Sequence, residues 1–479
     1  MLQSVNQKPL TADKCVYKWR IFAVVSGGVF MATMDSSMVN LALPAIMKDF
    51  GSPLKDTEWV SLIYLLVISS TLLIWGNLSD RLGRRLVYPM GLLVFALGSL
   101  SCAWSPDFDL LIMARLLQGL GAAMMMSTGP AIIKETFPPL ELGRALGLIG
   151  TSVSLGLMTG PLVAGLALQF ASWRAMFMLT FPIGLLLFFA ARRYLPRHRP
   201  GKGRLLLAWP PALAWIILLT TASLTVTYAA SPACSFTVLT ILIVAVLLVL
   251  LGFIRLETSS PLPLLAPGLL VRRYMSSALL CAMLSFMQLF AVLIITPFYL
   301  DRVLDLPKIQ IGLIMMSVPL AAMGLAPLAG WLYGRFSARV LCTIGLFTAS
   351  CGAWMLSLVS PTGWLAVILP LTLIGGGQAI FLSPNSASVL RWIEKENTGK
   401  AAALLATGRN LGMIMGVGMA SIAFSQVFSQ LTNGLDMRDY SPVHAEAFVR
   451  AMHRVYQSAV LTGLLSVVIS ALRGKRRKN

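Results

Sequence analysis

One carboxylate, Asp35, lies well inside the long apolar runs of this chain, and two cations, Arg115 and Arg409, share those runs with it. An acid in lipid-like surroundings costs on the order of 3 kcal/mol or more unless it is paired, faces a cavity or is protonated. A group balanced between charged and neutral forms can take a proton from one side of a barrier and release it on the other. Asp35 therefore offers proton binding, with a purely structural helix-pairing acid as the alternative. Arg115 can tune that proton, directly or through water and Asn40 or Gln118, or it can snorkel from its own helix. Arg409 can contact an anionic ligand, or it can pack against backbone carbonyls. Met38, Gln288 and Asn410 complete the candidate pocket, because flexible thioethers and amides suit varied apolar ligands.

Other chemistries find no support. The chain has no Gly-x-x-x-x-Gly-Lys-Ser/Thr loop to cradle phosphates, so ATP-driven pumping is not expected. His198, His444 and His453 fall outside the apolar runs with no metal-ligand spacing between them, and no metal or cofactor is expected. The six cysteines form no disulfide framework. An enzyme is not expected.

The elements that must position these residues are membrane helices. Hydrophobic residues make up 57% of the 479 positions and charged residues 12%, with mean hydropathy +0.80, whereas soluble domains average about a quarter charged. Fourteen runs reach the length of about 20 residues that a span needs, at roughly 20–45, 58–78, 86–104, 109–133, 144–169, 173–192, 205–229, 236–255, 275–300, 310–334, 339–359, 364–390, 400–428 and 455–473. They are too long for barrel strands, so the fold class is an all-α integral membrane protein with 14 transmembrane helices.

The net charge of +20 tests that count. With the N-terminus inside, inner loops and flanks carry 28 Lys/Arg against 7 Asp/Glu, and outer ones 8 against 10. One span too many or too few would erase this positive-inside asymmetry. The basicity is thus explained by topology, and no nucleic-acid partner is expected.

Two linkers divide the chain, a basic one at Arg192–Arg204 and a proline-containing one at Glu257–Tyr274. The division is 1–192, a six-helix bundle; 193–274, linkers plus a two-helix insertion; and 275–479, a second six-helix bundle. The halves repeat. Gly76-x-Leu78-x-x-Arg81 recurs as Gly330-x-Leu332-x-x-Arg335, Gly143-Arg144-Ala145 as Gly399-Lys400-Ala401, and Leu155-Gly156-x-x-x-Gly160 as Leu411-Gly412-x-x-x-Gly416. Parallel six-span repeats imply two pseudo-symmetric bundles with a site between them at mid-depth. The segment Ala445–Tyr456 reads as a short amphipathic helix covering the outer surface.

With these motifs in place, the sequence resembles the major facilitator superfamily, specifically its fourteen-span drug:proton antiporter branch. Gly76-Asn77-Leu78-Ser79-Asp80-Arg81-Leu82-Gly83-Arg84-Arg85 is similar to that superfamily's cytoplasmic loop motif. The resemblance implies that Gly76, Asp80, Arg81, Gly83, Arg84 and Arg85 form a gate that latches the bundles in one state. Asp35 to Pro44 is similar to the branch's first-span motif, and Arg115 to Ala123 to its fourth-span motif. Gly156-Leu157-Met158-Thr159-Gly160-Pro161-Leu162-Val163-Ala164-Gly165 resembles the antiporter motif of exporters, with Gly156, Gly160, Pro161 and Gly165 in place and Ala164 in place of a glycine. In the second half, Gly334 and Ser337 stand where Asp80 and Gly83 stand in the first, so the latch is expected to be one-sided.

The resulting expectation is a proton-coupled secondary exporter moving amphiphilic small molecules by alternating access. Its partners would be protons, small-molecule substrates and the lipid bilayer. It would act as a monomer in a bacterial inner membrane with both termini cytoplasmic. An exporter of one metabolite or siderophore is the alternative, ahead of a proton symporter or a non-transporting sensor.

Overall fold

The computed structural model describes residues 12–195, 209–229, 235–260, 273–333, 335–359, 363–390, 398–435, 437 and 440–473. The described residues form long helices and no strand. In chain order these are α1 Ala12–Phe50, α2 Trp59–Leu82, α3 Arg84–Ala103, α4 Phe108–Thr136, α5 Pro139–Phe170, α6 Trp173–Tyr194, α7 Trp209–Ala229, α8 Phe236–Ser259 and α9 Arg273–Phe298. Then come α10, running as Lys308–Met315 and Ser317–Tyr333, α11 Ala338–Leu356, α12 Leu365–Leu390, α13 Thr398–Leu431 and α14 Ala445–Ala471. Thirteen described segments are long and apolar enough to cross a membrane; α5, with its apolar Leu155–Phe170 stretch, is the fourteenth helix.

One boundary differs from expectation. The amphipathic stretch from Ala445 is not a separate surface helix but the opening of α14. Phe448, Ala451, Met452 and Val455 are buried there, and the Phe448 ring lies 4.9 Å from that of Phe424 on α13. Burial of that apolar stripe makes a continuous helix cheaper than a break.

Helix pairing repeats between the halves. α1 packs on α5, α2 on α4, and α3 on both α4 and α6; α9 packs on α13, α10 on α12, and α11 on both α12 and α14. The repeated small-residue motif explains one of these pairs. A Cβ on Gly156 would sit 2.6 Å from the Phe30 carbonyl oxygen of α1, and one on Gly160 would sit 2.8 Å from that of Met34. Gly412 and Gly416 stand equally close to the Met283 and Met287 carbonyls of α9. Both halves thus use a Gly-x-x-x-Gly face to bring backbones together.

The bundles meet along two seams, α5 against α10 and α2 against α13. The inserted pair covers the second. α7 packs on both α2 and α13, and Trp215 donates from Nε1 to the Ser69 carbonyl of α2 at 3.3 Å. α8 buries only Phe253 and Glu257 among its described residues, as a lipid-facing helix should.

A single residue, Gly83, joins α2 to α3 with φ at +92° and ψ at 129°. Side chains rarely tolerate this backbone, so Gly83→Ala is expected to cost about 1–3 kcal/mol. A lowered midpoint of thermal unfolding in detergent would register it. The next residues anchor α3 to the C-terminal ends of its neighbours, where cations are favoured. Arg84 pairs with Glu135 of α4 at 2.5 Å, and Arg85 donates to the Arg192 carbonyl of α6 at 3.4 Å. Both links lie within the first bundle. The side chains of Asp80 and Arg81 lie outside the described residues, as does most of both linkers. In the second half Arg335 stacks over Trp331 at 4.0 Å, and Ser337 caps α11 by accepting from Val340.

Candidate functional site

Four helices of the first bundle converge on Asp35. Arg115 Nη1 donates to Asp35 Oδ2 at 2.6 Å, and Gln118 Nε2 donates to Asp35 Oδ1 at 2.8 Å. Arg115 and Gln118 are one helical turn apart on α4, so both reach the same acid. All three side chains are fully buried. Arg115 also donates through Nε to the Val60 carbonyl of α2 at 2.8 Å, and its guanidinium stacks 4.3 Å from the Tyr64 ring. Gln118 donates onward to Ser99 of α3 at 2.8 Å. The shared depth of Asp35 and Arg115 in the sequence thus corresponds to contact.

A buried pair of this kind is costly to assemble and costlier to break on one side. Every oxygen of Asp35 is engaged, whereas Arg115 Nη2 is buried and has no hydrogen-bond partner among the described residues. The guanidinium keeps a donor in reserve. Protonating Asp35 would remove the charge that Arg115 balances, so proton occupancy and the packing of α1, α2, α3 and α4 are coupled through one cluster.

The other candidates divide between the bundles. Asn40 is buried and accepts from Ser61 of α2 at 2.9 Å, and Met38 is buried where α1 meets Gly160. Gln288 lies inside the second bundle, where the chain leaves room for it at Gly463 beside Ser350. Neither its Nε2 nor its Oε1 has a hydrogen-bond partner among the described residues. Asn410 is buried with a free Nδ2, and half-buried Arg409 makes no hydrogen bond or ion pair among the described residues. Around Gln288 the second bundle repeats the helix geometry of Asp35 with neutral groups. Gln378 of α12 donates to the Ser285 carbonyl at 2.8 Å and accepts from the Ser285 hydroxyl at 2.8 Å.

The 156–165 segment of α5 serves both bundles. Gly156 and Gly160 face α1, whereas Gly165 and Pro161 face α10, where a Cβ on Gly312 would sit 2.5 Å from the Pro161 carbonyl. This contact lies at the end of the molecule away from the start of α1 and the end of α14, the distal end. Around it Leu41, Pro44 and Leu168 meet Pro297, Asp301 and Lys308 with a void of only about 10 Å³. Lys308 also pairs with Asp301. The distal end of the α5–α10 seam is closed.

A larger cavity, about 650 Å³, lies between α7 and the second bundle. Met287, Met415 and Met419 form its apolar side, and Gln426, Gln430, Gln457 and Arg454 its polar side. Sequence reasoning missed those polar groups, although Gln426 and Gln430 stand at i,i+4 and Arg454, Gln457 and Leu461 share a helical face. It also missed Val60, Tyr64 and Ser99, whose roles depend on carbonyls and hydroxyls that no pattern marks.

Two six-helix bundles, a charged cluster buried in one of them and a seam closed at one end define a multi-pass membrane transporter. The chain belongs to the Major Facilitator Superfamily, whose model matches residues 25–417. It is similar to the uncharacterized transporter YebQ of Escherichia coli strain K12, with 34% identity over 83% of this chain and 87% of that one. It shares 29% identity with the riboflavin transporter RibZ of Clostridioides difficile strain 630, over 95% and 97% of the two chains. The puromycin resistance protein pur8 of Streptomyces alboniger is 29% identical over 84% and 81%. Its fold matches a bacterial homologue of the human lysosomal transporter Spinster at a TM-score of 0.69 and 12% identity, covering 98% and 97% of the two chains.

Proposed function

We propose that this protein is a proton-coupled exporter of amphiphilic small molecules, with Asp35 as the proton carrier. The observation that carries the reading is the fully buried Asp35–Arg115–Gln118 cluster. On the charge-based topology the distal end is the outer face, so the α5–α10 seam is closed on its outer side. In the cycle Asp35 takes a proton from outside while the bundles are open there, releases it inside, and the substrate leaves in exchange. Arg115 and Gln118 hold the carboxylate between those events. The protein works as a monomer in a bacterial inner membrane with cytoplasmic termini and no cofactor.

Substrate chemistry follows from the second bundle, whose membrane helices carry Arg409 and no deeply placed acid. Dications would find no extra carboxylate there, so neutral, zwitterionic, weakly basic or anionic amphiphiles are favoured. Similarity to pur8 supports export of a drug-like molecule. A second reading, a carrier for one metabolite, is supported by the end-to-end match to RibZ.

The test is purified protein in vesicles with an imposed pH gradient, following protons and substrate together. The panel would contain puromycin, riboflavin and a quaternary ammonium dye. Substrate-dependent proton flux is expected for one or both of the first two. No such flux across the panel, or flux unchanged in Asp35→Asn, sinks the antiport mechanism.

A further inference from the structure

A second carboxylate is buried where the sequence shows only a loop charge. Glu58 occupies the junction between the short Leu54–Thr57 turn and α2, just outside the apolar span Trp59–Ser79. It is 3% exposed, at the distal end of the α2–α13 seam, and makes no ion pair among the described residues. The side chain set against it is Ser421 of α13, whose hydroxyl is buried and has no hydrogen-bond partner among the described residues. A carboxylate so enclosed, with no cation paired to it among the described residues, has its ionised form disfavoured.

The same turn of α2 holds the proton-binding cluster. Val60 accepts from Arg115, and Ser61 donates to Asn40. Glu58 thus stands between the first bundle's charged cluster and the second bundle's α13.

We propose that Glu58 is a second proton-binding site, which closes the outer end of the transporter when it is protonated and faces Ser421, and opens the α2–α13 seam when it ionises. The step is a simple protonation. The carboxylate takes a proton from the outer medium, and the resulting acid can donate to Ser421 Oγ. Opening returns the proton to the same side, so Glu58 gates the cycle and adds no transported proton. The inference rests on the alternating-access reading but not on Asp35 as the carrier.

The charged and titratable groups around this corner leave the role to Glu58. α13 brings Arg409, twelve residues along the helix or ~18 Å away, and α7 brings Tyr228. α4 brings Arg115, already engaged by Asp35, Gln118 and Val60. α1 brings Asp35, Lys48 and Asp49, the last paired with Arg174, and the preceding turn brings Asp56 and Lys55, whose side chain lies outside the described residues. Burial pushes the Glu58 carboxyl from the ordinary 4.5 to about 8, and Ser421 pulls it back in part. The sign follows. The closed state has the raised value, so closure is strongest below about pH 4.5, weakens as pH rises to about 8, and is level above that. Within the window the closed-to-open ratio falls about tenfold per pH unit.

Hydrogen exchange of the full-length protein, corrected for the intrinsic pH dependence of amide exchange, reads this seam without needing a substrate. In peptides covering Glu58–Leu62 and Val417–Ala423, opening is expected to rise at least tenfold between pH 5 and pH 8. Glu58→Gln should be flat, and Glu58→Asp and Asp35→Asn should keep the slope. A flat wild-type profile overturns the proposal, as does a wild-type slope in Glu58→Gln. A slope lost in Asp35→Asn assigns the effect to Asp35 instead. If Glu58→Gln fails to fold, the wild-type, Glu58→Asp and Asp35→Asn profiles still decide. Loss of proton flux in vesicles with the seam slope intact would reject the exporter reading alone.

Discussion

Asp35→Asn is expected to abolish proton-driven transport and to destabilise the protein, and a second change should separate the two effects. Removing one partner of a buried ion pair typically costs about 3–5 kcal/mol, because the other charge stays uncompensated. Here the stranded group is Arg115, which keeps Val60, Gln118 and the Tyr64 ring but loses its only anion among the described residues. Adding Arg115→Gln removes that charge too. The double variant should recover most of the lost thermal stability, since neutral replacement of a whole buried pair is often tolerated. Its gradient-driven flux should stay at background, at least tenfold below wild type. Thermal melts and vesicle flux on wild type and the two variants decide the matter. Transport recovered along with stability would make Asp35 a structural acid and remove it from the proton path.

Arg115→Lys should not substitute well. One ammonium cannot reproduce the planar set of bonds to Asp35, Gln118 and the Val60 carbonyl, nor the stacking on Tyr64. Its expected phenotype is a partial loss of flux with a shifted pH profile, distinct from the complete loss in Asp35→Asn.

How much of this was legible in the sequence follows from what each pattern encodes. Hydropathy and loop charge encode depth, so the number of helices and the level of Asp35 and Arg115 could be read directly. Their contact followed because two opposite charges at one depth in lipid rarely remain apart. Depth does not encode lateral facing, however. Glu58 counted as one more outer-loop acid, yet the α2–α13 seam covers it. Gln288 and Asn40 were grouped as residues of one pocket by type and depth, and the structure packs each inside its own bundle. The seat of α7 against α2 and α13 was equally hidden, because an apolar helix of uniform character announces no preferred neighbour. The glycine repeat was the exception: spacing alone pointed to close helix pairs, and both copies make them.

That same motif supplies a variant pair able to distinguish permanent packing from a gate. Gly160→Val places new atoms against the Met34 carbonyl, inside a pair of helices that belong to one bundle. Overpacking there is expected to cost about 1–3 kcal/mol in any conformational state. Gly312→Val crowds the Pro161 carbonyl instead, but only where the two bundles touch. An open distal end relieves that clash, so the fold should survive and the closed state should be lost. Thermal stability is then expected to fall for Gly160→Val and hold for Gly312→Val, while transport falls at least tenfold in Gly312→Val. Leu168 lines the closed distal void. A cysteine at Leu168 should therefore react faster with a membrane-impermeant thiol reagent when Gly312 is valine. If Gly312→Val unfolds like Gly160→Val with no gain in labelling, the α5–α10 contact is a fixed joint. Alternating access must then turn on the other seam, where α2 brings Glu58 against α13.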